Sequence, residues 1–184
     1  MKTMMTKLKS FTETQVKILL QSMHVKDGDP APMLICQGKD LNKIEAFLLH
    51  ELLGITDSNL RARYLGQLGI RHGTEGKTPQ RALLAFFAWQ AKKSEGKNYT
   101  PTKDKVDRLE VMAIVALDIK ANQCMTSIPT GRSPWDAEQE ATNFPSIDTI
   151  EIKSHKPNDK KRFDERMLSN FFIGIDYGQK EISR

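Results

Sequence analysis

A chain of 184 residues with a net charge of +5 and 39% hydrophobic residues is long enough to bury about 70% of its unfolded surface in one domain, without a metal or disulfide to hold it. Its two cysteines, Cys36 and Cys124, exclude a disulfide-dense secreted scaffold and point to reduced thiols in a cytoplasmic compartment. No apolar run approaches the ~18 residues that a membrane span requires, and the basic N-terminal stretch has no apolar signal core behind it.

Thr12 with Gln15, flanked by Phe11 and Val16, has the form of a capping box with a hydrophobic staple. A first helix is therefore expected from Thr12, turning Val16, Leu19, Leu20 and Met23 inward until Asp27-Gly28-Asp29-Pro30 stops it. Met33 to Cys36 reads as an edge strand or a buried connector. Asp40 then caps a second helix, in which Leu41, Ile44, Phe47, Leu48 and Leu52 recur at helical spacing before Gly54. Within it, His50-Glu51-Leu52-Leu53-Gly54 begins like the zinc-protease helix motif. Gly54 stands where the second imidazole is required, so no metal site is assigned.

Asp57 opens a third helix with Leu60, Tyr64, Leu65 and Leu68 inward and Arg61 and Arg63 outward, its end weakened by Gly66 and Gly69. A fourth is expected from Pro79 to about Lys93, gathering Leu83, Leu84, Phe86, Phe87 and Trp89. Between them, Gly76-Lys77-Thr78 has the ending of a phosphate-binding loop, in which backbone amides cradle phosphates and lysine reaches the terminal ones. That pattern wants glycine where Arg71 stands, and Pro79 removes an amide where the following helix would begin. A turn at Gly73 and Gly76, a cap at Thr78 and proline at the first helical position account for the same residues.

Val111 to Ile119 has no hydrophilic face except at Asp118, so it must be buried on nearly all sides. Val106, Leu109, Ala113 and Ala116 fall at helical spacing beside a stripe of Met112, Val115 and Ile119, which favours a helix from Lys105 to about Asn122. The competing strand rests on the β-branched Val111, Ile114 and Val115. After Cys124 the texture changes: a short acidic helix at Ser133-Pro134-Trp135-Asp136, a strand over Ile147 to Lys153, a helix from Asp159 with Phe163, Met167 and Leu168 inward, and a second strand from Phe171 to Tyr177. Ile173-Gly174-Ile175-Asp176-Tyr177-Gly178 resembles the first strand of ribonuclease-H-like nucleases, whose aspartate holds catalytic metal. The likeness covers six residues, and that fold draws further carboxylates from later strands, so no catalytic role is assigned.

The expected fold is mostly α, five or six helices with a small C-terminal β element. A helical core over 1–125 would carry an α/β appendage over 126–184, or the whole would form one domain. Between Leu60 and Lys105 ten basic residues face three acidic ones. That excess points to a non-enzymatic module contacting nucleic acid or another anionic partner through Arg61, Arg63, Arg71, His72, Lys77 and Arg81. A solvated face explains the same charges. A second reading is an adaptor in a larger assembly or oligomer, using Phe86, Trp89 and Trp135 against an acidic or other protein partner. A third is a phosphate-binding enzyme using Lys77 and Thr78. No catalytic residue, metal or cofactor is assigned.

Overall fold

The computed structural model describes residues 2–22, 31–39, 43–90, 109–128, 150–157 and 163–183. In chain order its elements are α1 (Lys2–Ser22), β1 (Met33–Gln37), β2 (Ile44–Leu48), α2 (Ser58–Thr74), β3 (Arg81–Gln90), β4 (Leu109–Asp118), β5 (Gln123–Ile128), β6 (Glu151–His155) and α3 (Phe163–Ile182). The strands form one six-stranded sheet in the order β2-β1-β3-β4-β5-β6. Every neighbouring pair is antiparallel. The expected bundle of five or six helices is therefore replaced by three α-helices, among the described residues, around a central sheet. No described helix is long and apolar enough to cross a membrane.

The largest correction falls on the apolar run at Val111. It is strand β4, not a helix, and so is the expected fourth helix, which is β3. Both lie mid-sheet with helices on either face, so alternation of polar and apolar residues has nothing to mark. Their side chains divide between two cores instead. Leu83, Ala85, Met112, Ile114 and Ala116 meet Leu8, Phe11, Val16 and Leu19 of α1. Ala82, Leu84, Val115 and Leu117 meet Leu65, Met167, Leu168 and Phe171 of α2 and α3. Cross-strand partners fall on the same face, as Leu84 opposite Val115 and Leu83 opposite Ala116 show.

Further boundaries shift for local reasons. The helix expected from Thr12 begins at Lys2, and the Thr12 hydroxyl, buried mid-helix, donates to the Leu8 carbonyl at 2.8 Å instead of capping. The helix expected after Asp40 is β2 followed by a short 3-10 turn, His50–Gly54. Met33 to Cys36 belongs to β1, which is no edge, since it lies between β2 and β3. Asp57 does cap α2, its carboxylate accepting from the amides of Asn59 and Leu60 at 2.8 and 2.9 Å. The expected strand Phe171 to Tyr177 is the middle of α3, and Asp176 stands exposed on that helix, so the ribonuclease-H-like resemblance has no strand to rest on. A strand does form at β6, overlapping the expected Ile147 to Lys153. β5 runs across the 125/126 boundary and joins the same sheet. Residues 133–136 and Asp159 lie outside the described residues.

Helices α2 and α3 pack through glycine. A Cβ on Gly69 would stand 2.0 Å from the Phe171 carbonyl oxygen, one on Gly73 2.2 Å from that of Ile175, and those on Gly174 and Gly178 each 2.2 Å from the carbonyls of Gly66 and Ile70. The contacts rise together in both helices, so the two run in the same direction with their backbones touching. Gly66 and Gly69 do not end α2, which continues to Thr74. We expect Gly69→Ala or Gly178→Ala to cost on the order of 2–3 kcal/mol in urea denaturation, because backbone cannot yield as a side chain would. Gly54→Ala, with nothing within 4 Å of its Cβ, is expected to be nearly neutral.

Candidate anion-binding cleft

The end of α2 decides what Gly76-Lys77-Thr78 is. The Lys77 amide donates to the His72 carbonyl at 2.9 Å and the Gly76 amide to that of Gly73 at 3.0 Å. Gly76 takes φ +72°, which glycine adopts without steric cost. These are the bonds of a Schellman stop. A phosphate-binding loop opens a helix and keeps its amides for the ligand, whereas this one closes a helix and spends them on its last carbonyls.

The stop nevertheless forms one wall of a cleft of about 380 Å³. Past it, the Gln80 amide donates to the Gln37 carbonyl at 2.8 Å, which lays the 76–80 connection along the β1–β2 hairpin. The hairpin supplies Cys36 and Glu45, directly opposite one another, with Lys39 and Lys43 exposed beside them. The far wall is His72, Lys77 and Thr78.

The Lys77 ammonium lies 3.1 Å from Glu75, 3.5 Å from Glu45 and 5.8 Å from the centre of the Phe47 ring. Hydrogen bonding to Glu75 raises its pKa above the usual lysine value. The hydrogen bonds from Lys77 and then Arg71 hold Glu75 below the usual carboxylate range. His72 is only 3% exposed. Its ring sits edge-on between Phe47 and Phe171, at centroid distances of 4.9 and 5.2 Å. Nδ1 lies 2.9 Å from the Leu68 carbonyl, which can only accept, so Nδ1 carries the proton. Nε2 is left as a buried acceptor with no partner among the described residues. Cys36 is also buried, and desolvation, with Glu45 adding to it, pushes its thiol up to about 12.

Of the expected anion-binding residues, the fold brings together His72 and Lys77, with Arg71 reaching them through Glu75 at 3.1 Å. Arg63 is exposed farther back on α2, and the Arg61 Nε donates to the Ile55 carbonyl at 2.5 Å. Arg61 is ten positions before Arg71, or roughly 15 Å along the helix axis. Arg81 lies on the opposite face of the sheet, buried with Asp118 at 2.7 Å and with Gln37 at 3.1 Å. Gln37, Arg81 and Asp118 are direct cross-strand partners on three adjacent strands. Among the expected partner-binding residues, Phe86 packs half-buried against the α2–α3 core. The side chain of Trp89 and all of Trp135 lie outside the described residues, as do 91–108 with their lysines. The His50–Glu51 pair sits on the 3-10 turn, where Glu51 accepts from the Tyr64 hydroxyl at 2.9 Å.

Lys39, Lys43, Glu45 and Cys36 are cleft residues that the helical reading of 40–52 concealed. Two apolar runs, Met33 to Cys36 and Ile44 to Leu48, separated by a short polar segment with Gly38, are the hairpin signal that would have found them. Compared with known protein families, curated sequences and solved structures, the chain matches none.

Substitution, thiol reactivity and pH dependence each test this geometry. Asp118→Ala leaves the Arg81 guanidinium buried without its counter-charge and should cost about 3–5 kcal/mol by chemical denaturation, whereas Arg81→Met combined with Asp118→Leu should recover most of that loss. The Cys36 thiol should resist alkylation at pH 8 in the native protein and react in denaturant. Its raised folded value also makes stability fall as pH climbs from the ordinary cysteine value of 9.0 toward about 12, since there the unfolded thiol ionises first.

Proposed function

We propose that this protein is a binding module for a phosphate-bearing ligand about the size of a mononucleotide, held in the cleft between the β1–β2 hairpin and the end of α2. The observation that carries the reading is the convergence of Lys39, Lys43 and Lys77 on one concave site with, among the described residues, a single lining carboxylate, Glu45. A volume of about 380 Å³ is in the range that small ligands occupy. Lysine meets phosphate as a point charge, without needing the fork geometry of arginine. Lys77 is already engaged by Glu75 and Glu45, so Lys39 and Lys43 supply the attraction and Lys77 completes it as Glu45 turns aside. The His72 Nε2 offers an acceptor to a ligand hydroxyl, and Thr78 a hydroxyl at the rim.

This narrows the expectation of a basic surface over 61–105. A long polyanion needs an exposed array, and two of the six residues that would form it, His72 and Arg81, are inside the protein. A concave site favours a compact ligand.

Calorimetric titration with pyrophosphate, a nucleoside monophosphate and a short single-stranded DNA at two salt concentrations tests the reading. Binding of the small phosphate compounds should weaken as salt rises. The double variant Lys39→Ala, Lys43→Ala should weaken it about tenfold, equivalent to about 1.4 kcal/mol. Absence of small-ligand binding, or affinity indifferent to both lysines, overturns the proposal, and binding to DNA alone returns the basic-surface reading to the front.

A further inference from the structure

On the same face of the sheet, independent of the cleft, three chemically unlike side chains meet. Cys124 on β5 and His155 on β6 are direct cross-strand partners. Glu165, in the first turn of α3, places its Oε1 2.6 Å from the His155 Nε2. One ligating atom from each of the three lies within 4.8 Å of the others. Cys124 and Glu165 are buried, with the Glu165 side chain 1% exposed, and His155 is 30% exposed. The group thus has two buried walls and one side open to solvent.

We propose that Cys124, His155 and Glu165 form a binding site for a zinc-class divalent cation. The donor set selects the metal: thiolate and imidazole are borderline-soft ligands that suit zinc, whereas calcium and magnesium take oxygen. Zinc binds sulfur at about 2.3 Å and nitrogen or carboxylate oxygen at about 2.0–2.2 Å. Tetrahedral donors at such lengths stand roughly 3.3–3.6 Å apart. The His155–Glu165 contact of 2.6 Å must therefore open by about 1 Å, and separations of up to 4.8 Å must close by up to about 1.5 Å, which side-chain rotation supplies. Three protein donors leave a fourth position to water or a further ligand. The cation enters on the His155 side, and the Cys124 thiol gives up its proton as the metal binds.

A cysteine nucleophile explains the trio less well, because the Cys124 sulfur is 0% exposed and no substrate reaches it. The site also joins β6, at the edge of the sheet, to the first turn of α3, so an ion there would fasten the end of the sheet to the helix layer.

Cobalt(II) titration of the chelator-stripped chain tests the assignment. One equivalent should produce a near-ultraviolet thiolate-to-cobalt band and the visible bands of a tetrahedral centre, and zinc should bleach both. Cys124→Ser should remove the near-ultraviolet band and His155→Ala should weaken cobalt at least tenfold, with far-ultraviolet circular dichroism confirming that each variant is folded. Cys36→Ser should retain the band. Zinc should raise the melting temperature of the wild-type chain and not that of Cys124→Ser. A wild-type spectrum without the thiolate band, or a band that survives Cys124→Ser or disappears with Cys36→Ser, overturns the proposal.

Discussion

The backbone contact between α2 and α3 is the constraint on which the rest of the helical layer depends. Gly69 and Gly73 on one helix, Gly174 and Gly178 on the other, let peptide groups touch where any side chain would hold them apart. Such close approach maximises dispersion contact and leaves the outward stripes of both helices free to fill the sheet face. Leu65, Met167, Leu168 and Phe171 do so, against Leu84, Val115 and Leu117. The same contact places both candidate sites. His72 immediately precedes Gly73, packs on the Phe171 ring and lines the far wall of the cleft. Glu165 lies at the near end of α3, where the helix reaches β6.

Across the sheet, α1 covers the other face, and the central strands are buried from both sides. That arrangement gives Arg81 and Asp118 their meaning. Two charges that take no part in a surface are placed directly opposite one another at the end of β3 and β4, with Gln37 beside them on β1. Shifting either strand by one residue would send its charge to the α2–α3 core. The ion pair is thus better read as a register device than as a source of stability, since desolvation offsets much of its attraction.

How far the sequence disclosed this fold follows from the same burial. The Asp57 cap, the inward residues Val16, Leu19 and Leu20 of α1, and a strand ending near Lys153 were legible because each has a local signature. β3 and β4 were not, because a strand covered on both faces and a buried helix write the same unbroken apolar text. The alanines and methionine that interrupt the β-branched residues tipped that ambiguity toward helix, although in the fold Met112 and Ala116 pack buried against α1. Glycines misled in the opposite way: Gly69 looked like a weak helix end, Gly73 a turn, and Gly174 and Gly178 part of or next to a strand, yet their recurrence at intervals of four marks a helix contact. The cleft was half visible, through His72 and Lys77. Its lysines on the hairpin were hidden by the helix expected there, and Cys124, His155 and Glu165 are too far apart along the chain for any spacing to reveal them.

The pairing of α2 with α3 joins segments that begin at Ser58 and Phe163. During synthesis the ribosome delivers β1 to β6 before α3 emerges, so the part of the sheet face that α3 covers beside α2 waits exposed until then. A topology so reliant on distant partners belongs among the slower folders, and its newly made chain presents the greasy underside of β3 and β4 to chaperones for as long as the delay lasts.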